Sequence, residues 1–270
     1  MFGMRAMKQQ GVDSWKQMGD RIVRLRDEVL RRNALAREPQ PDGVTSPSIR
    51  LLLREFGTGA ERFRDSARIR REGGLAMAPA QSRAVMLLPG FGAHPARMRP
   101  LRRALESAGH RVSDWGLGFN LGPTAERFEL LLQRIETMAR REGQPLVLVG
   151  WSLGGIYARE AAKRLPHAVS LVITMGTPFS GDRRANNAWR AYHFVTGHRV
   201  EEPPVGDDIA AKPPVPTVAL WSPRDGIVAP RAAAGWPGER DEAIAIRCTH
   251  LGFASHPAVA REVGRLLGIY

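Results

Sequence analysis

From residue 84 onward, short apolar runs alternate with amphipathic stretches. Ala84-Val85-Met86-Leu87-Leu88 and Leu146-Val147-Leu148-Val149 are continuous apolar runs of strand length, and residues 111–115, 169–175, 217–221 and 243–248 read as four further strands. Helical stretches are expected over 95–107, stopped by Gly109, over 156–165, and over 257–267 at the end of the chain. Strand and helix in alternation predict an α/β protein, a mostly parallel sheet of about six strands flanked by helices. Before residue 83 the pattern changes. Trp15, Met18, Ile22, Leu25, Val29 and Leu30 recur at helical spacing within 14–37, and a second amphipathic stretch covers 48–56. A basic segment, 60–71, follows, and the proline-bounded stretch 39–47 reads as a linker. The chain therefore divides into a helical N-terminal extension, 1–82, and an α/β domain, 83–270. The N-terminal helices are expected to pack on their own domain, with a membrane surface or a partner as the alternatives.

Composition adds limits. With 270 residues and 43% hydrophobic content the chain is long enough for a full core. The net charge of +13 would favour anionic surfaces, but no nucleic-acid-binding motif accompanies it, so no nucleic acid partner is expected. Peripheral contact with an anionic membrane, weakened by salt, is the secondary expectation. The single cysteine, Cys248, excludes an internal disulfide and reads as a small buried hydrophobe. No apolar run approaches the roughly 18 residues of a membrane span, and Met1 to Gln10 lacks an apolar leader core. A cytoplasmic location is the expectation.

The chemistry concentrates at strand ends. Gly150-Trp151-Ser152-Leu153-Gly154 is a G-x-S-x-G pentapeptide between an apolar run and a helix, the signature of a serine on a sharp strand-to-helix turn. A Cβ at Gly150 or Gly154 would collide in so tight a turn. Asp225 lies in Ser222-Pro223-Arg224-Asp225-Gly226 after the fifth apolar run, and His250 directly follows the sixth. The order Ser, Asp, His, each beyond the C-terminal end of a strand, places all three at the ligand-binding edge of a parallel sheet.

On these motifs the chain resembles the α/β-hydrolase superfamily, and within it the bacterial lipases and esterases, over roughly residues 83–268. Leu87-Leu88-Pro89-Gly90-Phe91-Gly92 resembles the family's oxyanion loop, with Pro89 where many members have histidine. Gly176-Thr177-Pro178-Phe179-Ser180-Gly181 resembles the Gly-Thr-Pro loop, with Phe179 in place of a frequent histidine, and Thr249-His250-Leu251-Gly252 resembles the histidine loop. The resemblance implies Ser152 as nucleophile, His250 as its base and Asp225 as the acid that orients the imidazole. It also implies an oxyanion hole from the main-chain N–H groups of Phe91 and Leu153. Residues 179–216 would form a small cap, and Trp151, Phe119, Phe179 and Trp189 are the expected substrate contacts.

Each assignment has a competitor. Asp225 suits an ordinary turn, and Asp207 and Asp208 are the fallback acids. His256 competes with His250, but Ser255-His256-Pro257 reads as a helix start with Ser255 as N-cap. His94, next to the oxyanion loop, is placed to reach the site mouth. The histidines show no metal-binding spacing, so neither metal nor organic cofactor is expected. The leading expectation is a serine hydrolase of carboxylic esters acting on a small-molecule or lipid ester. The alternatives are an acyltransferase and a non-catalytic binding protein of the same fold.

Overall fold

The computed structural model describes residues 2–57, 81–206 and 208–270. Its centre is a six-stranded sheet of order β2-β1-β3-β4-β5-β6, every neighbouring pair parallel. The strands are β1 (Ala84–Leu88), β2 (Arg111–Asp114), β3 (Leu146–Trp151), β4 (Val169–Met175), β5 (Thr217–Trp221) and β6 (Glu242–Ala245). Side chains alternate between the two faces of a strand, and each face has its own core. Val85, Leu87, Val147, Val149 and Ile173 pack on one side under the helices α3 (Arg99–Ser107) and α8 (Pro257–Ile269). Met86, Leu88, Leu146, Leu148 and Val172 face the other side, covered by α4 (Ala125–Glu142) and α5 (Leu153–Arg164). Burial on both faces explains why these strands read as unbroken apolar runs.

Among the expected elements whose bounds differ, two have a clear local cause. The helix over 95–107 begins as a 3-10 turn, Pro95–Met98, and becomes α-helical only at Arg99. Pro100 lacks an N–H, so the first turn cannot continue the same hydrogen-bond ladder through it. The last strand ends at Ala245, three residues earlier than the apolar run suggests. There the chain bends: Cys248 N–H donates to Ile246 O at 3.0 Å, a tight local turn, and Ser222 Oγ donates to Cys248 O at 2.5 Å. Ile246 and Cys248 are apolar because they are buried, not because they are strand.

The N-terminal segment contributes α1 (Phe2–Ala36) and α2 (Ile49–Glu55); the basic stretch 60–71 lies outside the described residues. The end of α1 lies against α6 (Trp189–Thr196), the single helix of the expected cap segment among the described residues. Polar bonds fasten the two. Arg31 Nη1 donates to Gly197 O at 2.8 Å and Arg32 Nη1 to Val195 O at 2.6 Å, both at the carbonyl-rich C-terminus of α6 where cations are favoured. Glu38 accepts from Arg184 and Arg199, and Asn187 Nδ2 donates to Pro47 O at 3.0 Å. A short helix, α7 (Pro230–Ala234), completes the fold beside β5. No described helix is long and apolar enough to cross a membrane.

Candidate active site

Ser152 joins β3 to α5 with φ 53° and ψ −123°, and among the described residues it alone has positive φ without being glycine. A left-handed serine is strained and persists only where its surroundings hold it. Here they do: Ser152 N–H donates to Met175 O at 2.8 Å, and Gly155 N–H donates to Ser152 O at 2.9 Å. The glycines follow from close approach. A Cβ on Gly150 would overlap the backbone of Gly154 and Gly155, one on Gly154 would overlap Leu88 O, and one on Gly155 would overlap Thr177. The first two match the sequence reading. The third depends on the Gly-Thr-Pro loop folding over the helix, which the pentapeptide does not encode.

Asp225 and His250 meet. Both are buried, and His250 Nδ1–H donates to Asp225 Oδ2 at 2.8 Å. The other carboxylate oxygen accepts from Ile227 N–H at 2.8 Å and Val228 N–H at 2.7 Å, so the loop's own backbone fixes its orientation. With Nδ1–H committed to Asp225, the neutral ring keeps its lone pair on Nε2. Burial opposes charge on His250, yet the Asp225 charge and hydrogen bond, with a further contribution from Glu55, raise the imidazole above the ordinary histidine value. Trp151, the residue before Ser152, donates Nε1–H to His250 O at 3.1 Å and so ties the histidine loop to the serine turn.

The loop after β1 is held by a residue the sequence reading passed over. Buried Asn120 donates Nδ2–H to Pro89 O at 2.7 Å, accepts at its main-chain O from Gly92 N–H at 2.7 Å, and donates its own N–H to Ala93 O at 3.0 Å. These bonds set the path of the backbone through Phe91. Phe91, Ser152 and Leu153 all line one cavity, located where the strand order reverses between β1 and β3. Leu153 is the first residue of α5, whose leading N–H groups have no partner inside the helix.

The remainder of the cavity is mainly apolar: Ile156, Tyr157, Pro178, Trp189, Tyr192, Val205, Ile209 and Val228 among others. Of the four expected substrate contacts, Trp189 lines it and the other three sit elsewhere. Trp151 is packed in the sheet core through its ring. Phe179 is buried beneath the Arg159 guanidinium, 4.1 Å from its ring centre, where Arg159 also binds the carbonyls of Ile209, Ala210, Ala211 and Glu239. Phe119 is 57% exposed and lies against the His94 ring at 5.0 Å.

The competing residues have local structural roles. His94 Nδ1 accepts from Ala96 N–H at 3.2 Å and caps the 3-10 turn. His256, not Ser255, is the N-cap of α8, accepting from Ala258 N–H at 3.1 Å. Ser255 has φ −150° and ψ −5° as the preceding turn closes, so the next extended residue takes the capping position. Asp208 Oδ1 accepts from Ala210 N–H and Ala211 N–H, closing its own turn, and Asp207 lies outside the described residues. Among the described residues no group of three His, Cys, Asp or Glu side chains is placed to hold a metal ion.

One site-adjacent group had no counterpart in the sequence reading. Glu55, at the end of α2, places its carboxylate against the main chain of both the Asp225 and the His250 loops. No local pattern flags it, since its partners lie 171 to 196 positions away.

No family model matches the sequence, and no curated protein matches it either. Solved structures do match in shape. A metagenome-derived lipolytic enzyme of the LipS and LipT pair superposes with a TM-score of 0.53 at 14% identity, over 72% of this chain and 99% of that one. The monoacylglycerol lipase of Paleococcus ferrophilus gives 0.50 at 18% identity, covering 70% of this chain and 96% of that one. A soluble variant of monoglyceride lipase from Saccharomyces cerevisiae, in complex with a substrate analog, gives 0.50 at 15% identity, covering 71% and 88%. The chain has the α/β-hydrolase fold.

Proposed function

We propose that the protein is a serine hydrolase of carboxylic esters whose acyl portion is apolar. The observation that carries this reading is the buried Asp225–His250 hydrogen bond of 2.8 Å, tied by Trp151 to a serine held in a left-handed turn. A hydroxyl is a weak nucleophile until a base removes its proton, and His250 Nε2 is the lone pair available for that. Ser152 Oγ attacks the ester carbonyl while His250 takes its proton. The N–H groups of Phe91 and Leu153 receive the developing oxyanion, at roughly 3–4 kcal/mol of transition-state stabilisation each. Collapse expels the alcohol, which leaves with the proton from His250. Water then repeats the sequence on the acyl-Ser152 ester and releases the acid. Asp225 holds the tautomer and offsets the imidazolium charge in both steps.

The apolar cavity beside Ser152 supports an acyl chain as its occupant, and the structural neighbours named for lipolytic activity agree with that substrate class. Hydrolysis of p-nitrophenyl esters of increasing acyl length tests the reading. Ser152→Ala is expected to lower kcat by at least about 10³-fold with its circular dichroism unchanged. Wild-type activity in that variant would remove Ser152 as nucleophile. Added alcohols or amines that divert the acyl group from water would favour the transferase alternative.

A further inference from the structure

Glu55 is only 4% exposed, although glutamate is seldom buried without partners. Its Oε1 accepts from Gly226 N–H at 2.9 Å and from His250 N–H at 2.7 Å, and its Oε2 accepts from Leu251 N–H at 2.9 Å. Gly226 follows Asp225, so a single carboxylate bridges the main chain of the two loops that carry the acid and the base. The approach is specific in shape as well. The backbone of Leu51 and Leu52 lies so near Gly226 that any Cβ at that position would overlap it.

We propose that Glu55 is a positioning residue for the Asp225–His250 pair, so that the N-terminal segment completes the active site of the hydrolase domain. This rests on the serine-hydrolase reading above. The physical need is visible in the sheet. β6 is its edge strand, only four residues long, and its side chains are not fully buried, so the loop that follows it receives little support from strand pairing. A carboxylate accepting main-chain N–H groups from both loops couples them directly and holds His250 Nδ1 against Asp225. Its charge acts in the same direction. Asp225 from the loop after β5 and Glu55 from α2 are the charged groups acting on His250, and both favour the imidazolium formed during catalysis.

The test uses the full chain carrying Glu55→Gln, which keeps the side-chain volume, and Glu55→Asp, which keeps the charge but shortens the reach. Sites are counted by fluorophosphonate titration of Ser152, and kcat is expressed per titrated site. Glu55→Gln is expected to lower kcat per site by about 10- to 100-fold, with KM within about twofold, as for a misplaced catalytic group. The rate of phosphonylation should fall with kcat, and the acidic limb of the pH–kcat/KM profile should move to lower pH because a negative charge near His250 is lost. Glu55→Asp should lower kcat while its acidic limb stays nearer that of the wild type. Wild-type kcat per site in Glu55→Gln, or a loss confined to the number of titratable sites, would overturn the proposal. An active Ser152→Ala would instead sink the parent reading. An inactive Ser152→Ala beside a normal Glu55→Gln would sink this inference alone.

Discussion

The sheet and the N-terminal segment are held in place by different physics. In β1, β3 and β4 nearly every side chain is buried, and adjacent strands share a hydrogen-bond ladder, unbroken between β1 and β3 and shifted once, at Leu146/Val147, between β3 and β4. Apolar burial of this kind is non-directional and tolerates exchange of one aliphatic residue for another. In α1, by contrast, Ile22 is 61% exposed and Leu25 is 66% exposed, and the helix is fastened through the Arg31 and Arg32 guanidinium groups near its end and the Glu38 carboxylate just beyond it. Such bonds work only with a particular acceptor at a particular distance. The sheet therefore sets where Ser152, Asp225 and His250 stand, while the N-terminal segment acts at a few discrete points on residues 184–199 and on the loops that carry Asp225 and His250. A defect in the first should abolish chemistry. A defect in the second should tune it.

The largest expected effect within the sheet-derived site, after loss of the serine itself, is at Asp225. Asp225→Asn removes the acceptor that selects the Nδ1–H tautomer, and kcat is expected to fall by on the order of 10⁴-fold. Single-turnover acylation kinetics would check it, and a loss below tenfold would mean that another group orients His250. Next comes pH. In the proposed mechanism His250 must be neutral to accept the serine proton, and its folded value is raised above the ordinary histidine value. Activity should therefore be full at alkaline pH and decline as pH falls through that raised value, about tenfold per unit beyond it. A kcat/KM profile whose acidic limb lay below the ordinary histidine range of about 6.5 would contradict the pairing.

The smallest effect tests the peripheral side of the comparison. Arg184 is nearly buried, donates to Glu38, Glu201 and Pro39 O, and lies with its guanidinium 4.9 Å from the centre of the Trp189 ring. Arg184→Met should cost about 1–3 kcal/mol and lower the thermal midpoint by a few degrees. Because Trp189 lines the cavity, KM should rise more than kcat falls. Unchanged melting and KM would show that the segment is anchored elsewhere.

Most of the sheet, and the position of Ser152, Asp225 and His250 beyond its strand ends, were legible in the chain. Strands buried on both faces announce themselves as apolar runs, and the G-x-S-x-G glycines are dictated by a backbone contact that recurs wherever this turn forms. Side-chain destinations were far less legible. Phe179 and Trp151 look like pocket aromatics in sequence, yet Arg159 takes the first and the sheet core takes the second. Ser255 has the composition of an N-cap, but the preceding turn gives that position to His256. Asn120 sits in a glycine-rich loop with nothing to set it apart until its partners, Pro89, Gly92 and Ala93, are seen around it.

By itself the sequence determined the elements whose cause is local: periodic burial, the serine turn, and the placing of Ser152, Asp225 and His250 at strand ends. Only the tertiary structure decided how loops far apart in the chain meet. That includes which aromatics face the cavity and the seating of Glu55 between the Gly226 and His250 backbones. The reason is physical. A strand or a tight turn is specified by neighbours a few residues away, whereas a buried polar group is specified by donors that the chain brings to it only after the sheet has formed.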